Sequence, residues 1–98
     1  MPRSQARIET GSASKYLQQL CKHFAHKVEV DYDAHAAHVR FPFGECRMAA
    51  DDAVLRIECD AETEETLKRA QGVIDEHLVR FAWREKPAIV WEARASKP

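Results

Sequence analysis

The sequence predicts a two-layer α+β sandwich, an antiparallel sheet with two helices on one face, and three observations lead there. Four consecutive segments between Val28 and Asp60 alternate apolar and polar residues, with turn signals between them. Two other segments repeat their apolar residues every 3.6 positions. At 98 residues the chain has room for one such core and no second. The expected domain is therefore residues 1–98, with an ordered core from about 5 to 94.

The first strand is expected over Gln5 to Thr10, where Ala6, Ile8 and Thr10 alternate with Arg7 and Glu9. "TGSASKY" breaks it and starts a helix over Ser14 to His26, with Ser12 or Ser14 as N-cap. Tyr16, Leu17, Leu20, Cys21 and Phe24 form that helix's apolar stripe. In the next strand Val28, Val30 and Tyr32 alternate with Glu29, Asp31 and Asp33, and a turn spans Asp33 to Ala36. Val39 and Phe41 belong to the third strand, and Pro42-Phe43-Gly44 turns the chain into a fourth carrying Cys46, Met48 and Ala50. Asp51-Asp52 turns again, and Leu55, Ile57 and Cys59 face inward from the fifth. The second helix has Asp60 as its expected N-cap, an acidic first turn, and Pro87 just past its end. Its stripe is Leu67, Ala70, Ile74, His77, Leu78 and Phe81, and Ile89, Trp91 and Ala93 alternate in a last strand.

Strands joined by short turns form a meander, and the two helices are the only cover for its apolar face. The order β-α-β-β-β-β-α-β is, by analogy, similar to the TATA-binding-protein-like fold, with no implication of DNA binding. On the uncovered face the mixture of Arg7, Glu9, Glu29, Asp31, Arg40, Glu45, Arg47, Arg56, Glu58, Glu92 and Arg94 reads as cross-strand ion pairs in water. A homodimer formed through this face is the alternative.

Composition narrows the function. A net charge of −1, with both signs spread along the chain, argues against a nucleic-acid surface, which needs a concentrated basic patch. No apolar run approaches the ~20 residues that span a bilayer. "MPRSQARIET" lacks the apolar core of a secretory signal, so a cytoplasmic protein is expected. Three cysteines without CxxC spacing disfavour a disulfide framework or a zinc knuckle. With no glycine-rich phosphate loop, nucleophile elbow or paired-carboxylate motif, no cofactor is expected and nothing demands catalysis.

The chemistry-bearing residues are Cys21, Cys46, Cys59, His23, His26 and His77. The helix stripe carries Cys21 into the core, and strand parity carries Cys46 and Cys59 there, all three as small apolar side chains. Cys46 is the partial exception, because it follows the Phe43-Gly44 turn and precedes Arg47. His23 lies at the edge of its helix's stripe and His26 largely in solvent. Their i, i+3 spacing permits a shared metal, but two ligands do not make a site. His77, within the second stripe, is read as a core histidine bonded to a backbone carbonyl, or as the partner of His23 if the helices pack side by side. Arg80 and Arg84, with Lys22 or Lys27, have the charge to bind a carboxylate or phosphate. Trp83 is either covered by Trp91 or an exposed contact.

The phrases "YLQQLCKHFAHK", "FPFGECRM" and "DEHLVRFAWRE" resemble, in order and spacing, the bacterial domain-of-unknown-function family 2218, from Ala6 to about Ala93. The resemblance implies no activity, cofactor or catalytic residue, and suggests an association with siderophore utilisation and iron handling. With it, the end of helix one, the turn before the fourth strand and the end of helix two are expected to converge. The candidate ligand-binding set is His23, His26, Cys46, Arg47, His77, Arg80 and Arg84, for a small anion or an iron chelate. A metal-binding protein would instead use His23, Cys46 and His77.

Overall fold

A computed structural model of the chain describes residues 2–81, 89 and 91–94. Eight elements follow in the expected order: β1 (Arg3–Glu9), α1 (Ala13–Phe24), β2 (Glu29–Tyr32), β3 (Ala36–Phe41), β4 (Gly44–Ala50), β5 (Val54–Asp60), α2 (Glu64–Phe81) and β6 (Trp91–Arg94). All strand pairs are antiparallel, in one sheet of order β2-β3-β4-β5-β1-β6. The meander β2 to β5 is therefore closed on its β5 side by β1, and β6 adds beyond β1.

One contiguous apolar cluster lies between the sheet and the helices. Ala6, Ile8, Val39, Cys46, Met48, Leu55, Ile57 and Cys59 rise into it from the strands. Leu17, Leu20, Cys21 and Phe24 enter it from α1, and Leu67, Ala70, Ile74 and Leu78 from α2. The period-2 and period-3.6 patterns thus meet in one layer, as burial of an alternating sheet requires.

The turns are held by carboxylates that accept from the backbone. Asp33 Oδ1 accepts the N–H groups of His35 and Ala36 at 2.7 and 2.8 Å. Asp51 Oδ1 does the same for Ala53 and Val54, both at 2.8 Å. These bonds favour the ionised side chains and pull both aspartates below the ordinary carboxylate range. Pro42 and Phe43 alone join β3 to β4, with Phe41 opposite Gly44. A side chain at Gly44 would bring its Cβ to 2.6 Å from the Asp60 carbonyl, so the β4 entrance packs against the end of β5 with room only for glycine.

Several expectations are corrected. Asp60 ends β5 and does not cap α2: Thr63 does, its Oγ1 accepting from Thr66 N–H at 3.1 Å and its carbonyl from Leu67 N–H at 3.0 Å. The Thr66 hydroxyl accepts from Thr63 N–H at 3.2 Å in return. Asp60 is instead drawn to arginine, 2.7 Å from Arg3 and 3.2 Å from Arg47. The first strand begins earlier than Gln5, and Ser4 is buried, accepting a hydrogen bond from Gln71 of α2. Tyr32, assigned inward by parity, is 43% exposed at the end of β2, the edge strand of the sheet. Helix α1 ends at Phe24, so His26 lies in the turn that follows. At its start Ser12 makes no side-chain cap; Thr10 Oγ1 accepts from Ser12 N–H, and the Ser14 hydroxyl donates to the Ala34 carbonyl. Trp83, Arg84 and Pro87 lie outside the described residues.

Candidate functional site

The end of α1, the β3–β4 turn and the end of α2 do converge, and rings join them. Phe24, the last residue of α1, packs edge-on against Phe41 at 5.1 Å and against His77 at 5.1 Å. Phe41 stacks on Phe43 at 5.0 Å with an interplanar angle of 7°, and the Arg69 guanidinium lies 5.0 Å above the Phe43 ring. On the other side of Phe24, the rings of His23 and His77 are 4.5 Å apart, and Phe81 meets His23 edge-on at 6.3 Å. A continuous aromatic seam thus runs from Phe43 through Phe41, Phe24 and His77 to His23 and Phe81.

The two histidines occupy different environments. His77 is half-buried rather than part of the fully buried stripe, which consists of Leu67, Ala70, Ile74 and Leu78. Its Nδ1 lies 2.7 Å from the Val73 carbonyl one turn earlier. A carbonyl only accepts, so Nδ1 carries a proton and the neutral tautomer leaves Nε2 as the acceptor. His23 is exposed, in the last turn of α1, where the helix dipole favours a cation. Its pKa is nevertheless lowered, first by partial desolvation and then by the positive potential of His77, Lys27, His26 and Arg80. The acidic group nearby, Glu76, is engaged by Arg80 at 3.6 Å. Among the described residues, this end of the helical layer is therefore aromatic, electropositive and short of anions.

The remaining candidates lie elsewhere. Cys46 is fully buried in the core with its Sγ 2.8 Å from that of Cys59, its register partner on β5. The contact with Cys59 and burial push its thiol pKa far up, and burial lifts Cys21 to about 11. Arg47 projects from the opposite face of the sheet, paired with Asp60 and, at 3.9 Å, with Glu45. His23, His77 and Arg80 thus come together, with His26 beside them in charge but not in ring contact. Arg84 lies outside the described residues. Among the described residues, no three histidine, cysteine, aspartate or glutamate side chains converge to hold a metal ion, so His23, Cys46 and His77 do not form a ligand set. Sequence reasoning missed the part played by Phe24, Phe41 and Phe81, whose periodicity marks them only as core.

Comparison with known proteins matches the family model described as an uncharacterised protein conserved in bacteria, DUF2218, over residues 5–92. The NMR structure of PA4090 from Pseudomonas aeruginosa is similar over 94% of this chain and 96% of that one, with a TM-score of 0.80 and 32% sequence identity. Among curated proteins none matches.

Proposed function

The chain belongs to the uncharacterised bacterial family DUF2218, and on that footing we propose that it is a binding module for a small aromatic anion, held at the His23–His77 seam. The observation that supports this reading is the pair of imidazoles 4.5 Å apart, one exposed and one anchored, beside Arg80 and Lys27. Rings on the protein offer faces and edges to an aromatic body. The surrounding cations offer donors to a carboxylate or phenolate, and protonated His23 adds one more. Catecholates are the iron-chelating members of this ligand class, which connects the site to the siderophore association implied by the sequence resemblance.

The test is a titration with benzoate, 2,3-dihydroxybenzoate and the ferric complex of the latter, followed through the imidazole NMR signals. The expected result is a saturable shift of the His23 and His77 resonances and a raised His23 pKa, both lost in His23→Ala and weakened at least several-fold in Arg80→Ala. Absence of any saturable change with all three probes overturns the reading.

A further inference from the structure

We propose that Cys46 and Cys59 are a redox pair, oxidised by hydrogen peroxide to a reversible disulfide that staples the middle of the sheet. The two residues stand directly opposite each other in the β4–β5 register. Opposed residues of an antiparallel pair have Cα atoms about 4.5–5.5 Å apart, within the span a disulfide bridges. Both side chains point to the covered face, and in the free thiols the sulfurs lie 2.8 Å from each other. A bond of about 2.05 Å therefore asks for a small approach of two side chains and no change of register. One buried cysteine is a small apolar side chain; two in contact across a ladder are a dithiol.

Both thiols are fully buried, but the way to them is short. Toward the β3–β4 turn the next inward positions are Gly44 and Ala61, which face each other and carry between them a single methyl group. With Phe41, Phe43 and Thr66 they line a hollow of about 310 Å³ at the end of the sheet. A molecule the size of hydrogen peroxide in that hollow is one residue pair from the sulfurs. In the first step one sulfur attacks a peroxide oxygen, the O–O bond breaks, and the departing hydroxide takes the thiol proton, leaving a sulfenic acid and water. The other sulfur then attacks the sulfenic sulfur, the S–O bond breaks, and the departing hydroxide takes the second thiol proton. Two thiols and one peroxide become one disulfide and two waters, with two electrons passed from sulfur to oxygen. The contact with Cys59 and burial hold the Cys46 thiol protonated, so the reaction is slow and the pair resists ordinary thiol reagents. In the sheet, β2 and β3 lie on one side of the β4–β5 pair and β1 and β6 on the other, so the bond ties the two halves at their shared line. None of this depends on the histidine seam.

The experiment exposes native wild type, Cys21→Ala and Cys59→Ala to hydrogen peroxide for long enough to oxidise the thiols of the denatured chain. Each sample is then unfolded in acid, alkylated in denaturant, and read by intact mass and peptide mapping. Wild type and Cys21→Ala are expected to lose the mass of two hydrogens, to map to a Cys46–Cys59 link, and to regain full alkylation after dithiothreitol. The linked protein should melt higher than the reduced one by roughly 10 °C, because the cross-link restricts the unfolded chain. Cys59→Ala should form no intramolecular disulfide. The proposal is overturned if every cysteine of native wild type stays alkylatable, or if Cys46 and Cys59 pass to sulfinic acids without linking. A link through Cys21, or a linked protein that melts no higher than the reduced one, overturns it equally.

Discussion

His23 shows how much of a residue's behaviour its neighbours decide. Its helix-terminal position alone would favour the charged imidazole, yet desolvation and four nearby cationic or imidazole groups lower its pKa. A histidine whose folded pKa lies below the ordinary 6.5 takes up its proton more readily in the unfolded chain. Its contribution to stability is complete above that value and is lost as pH falls through it toward the lower folded pKa. Thermal unfolding between pH 7.5 and 5 is therefore expected to show a steeper fall for wild type than for His23→Gln. Parallel curves for the two proteins would contradict the assignment. The sequence made the edge position of His23 legible because helical periodicity is a local property. It could not show that Cys46 points at Cys59 across the sheet, since both had the correct parity for the core but parity carries no register.

At the scale of elements, the start of α2 is the instructive case. Asp60 was the reasonable sequence choice for the cap, an aspartate ahead of an acidic first turn. Structure assigns it to β5 because Arg3 and Arg47 flank it, leaving the cap to Thr63 and its reciprocal bonds with Thr66. Thr63→Ala is expected to cost about 1 kcal/mol in denaturant unfolding, the ordinary loss for a helix cap. Asp60→Asn should instead leave the helix start intact and weaken the β1–β5 and β4–β5 edges, read as faster amide exchange at Arg3 and Glu45. Helices and strands themselves were legible in order and nearly in extent, since each is defined by its own period. Their ends were less so, because a cap and a strand terminus recruit the same short polar residues.

Across the whole molecule, the sheet is closed late in sequence. Trp91 of β6 donates its indole N–H to Asp75 Oδ1 at 2.8 Å, tying the last strand to α2 over the top of β1. Burial raises the Asp75 pKa while this bond opposes the rise. Trp91→Phe keeps the ring but leaves a part-buried carboxylate without its donor, with an expected cost of about 1–3 kcal/mol. Loss of protection in the β6 amides, with the β3–β4 hairpin unaffected, is the accompanying signature in hydrogen exchange; uniform protection would mean that β6 is held by other contacts. The sequence foretold a covered antiparallel sheet from its alternation and turn spacing. It was silent on which strand lies beside β1, because that pairing joins distant parts of the chain and leaves no local pattern.

That placement of β1 has a kinetic consequence. Residues 3–9 are made before their partners on β5 and β6, which follow roughly fifty and ninety positions later. The hairpins β2–β3, β3–β4 and β4–β5 close over short loops and form quickly, while β1 must wait through a long closure whose entropic cost nothing local repays. During that interval both edges of β1 and the β5 edge of the meander are bare. On a ribosome the amino-terminal strand is thus the last of the first five to find its place, and it is the segment most open to capture by another chain until it does.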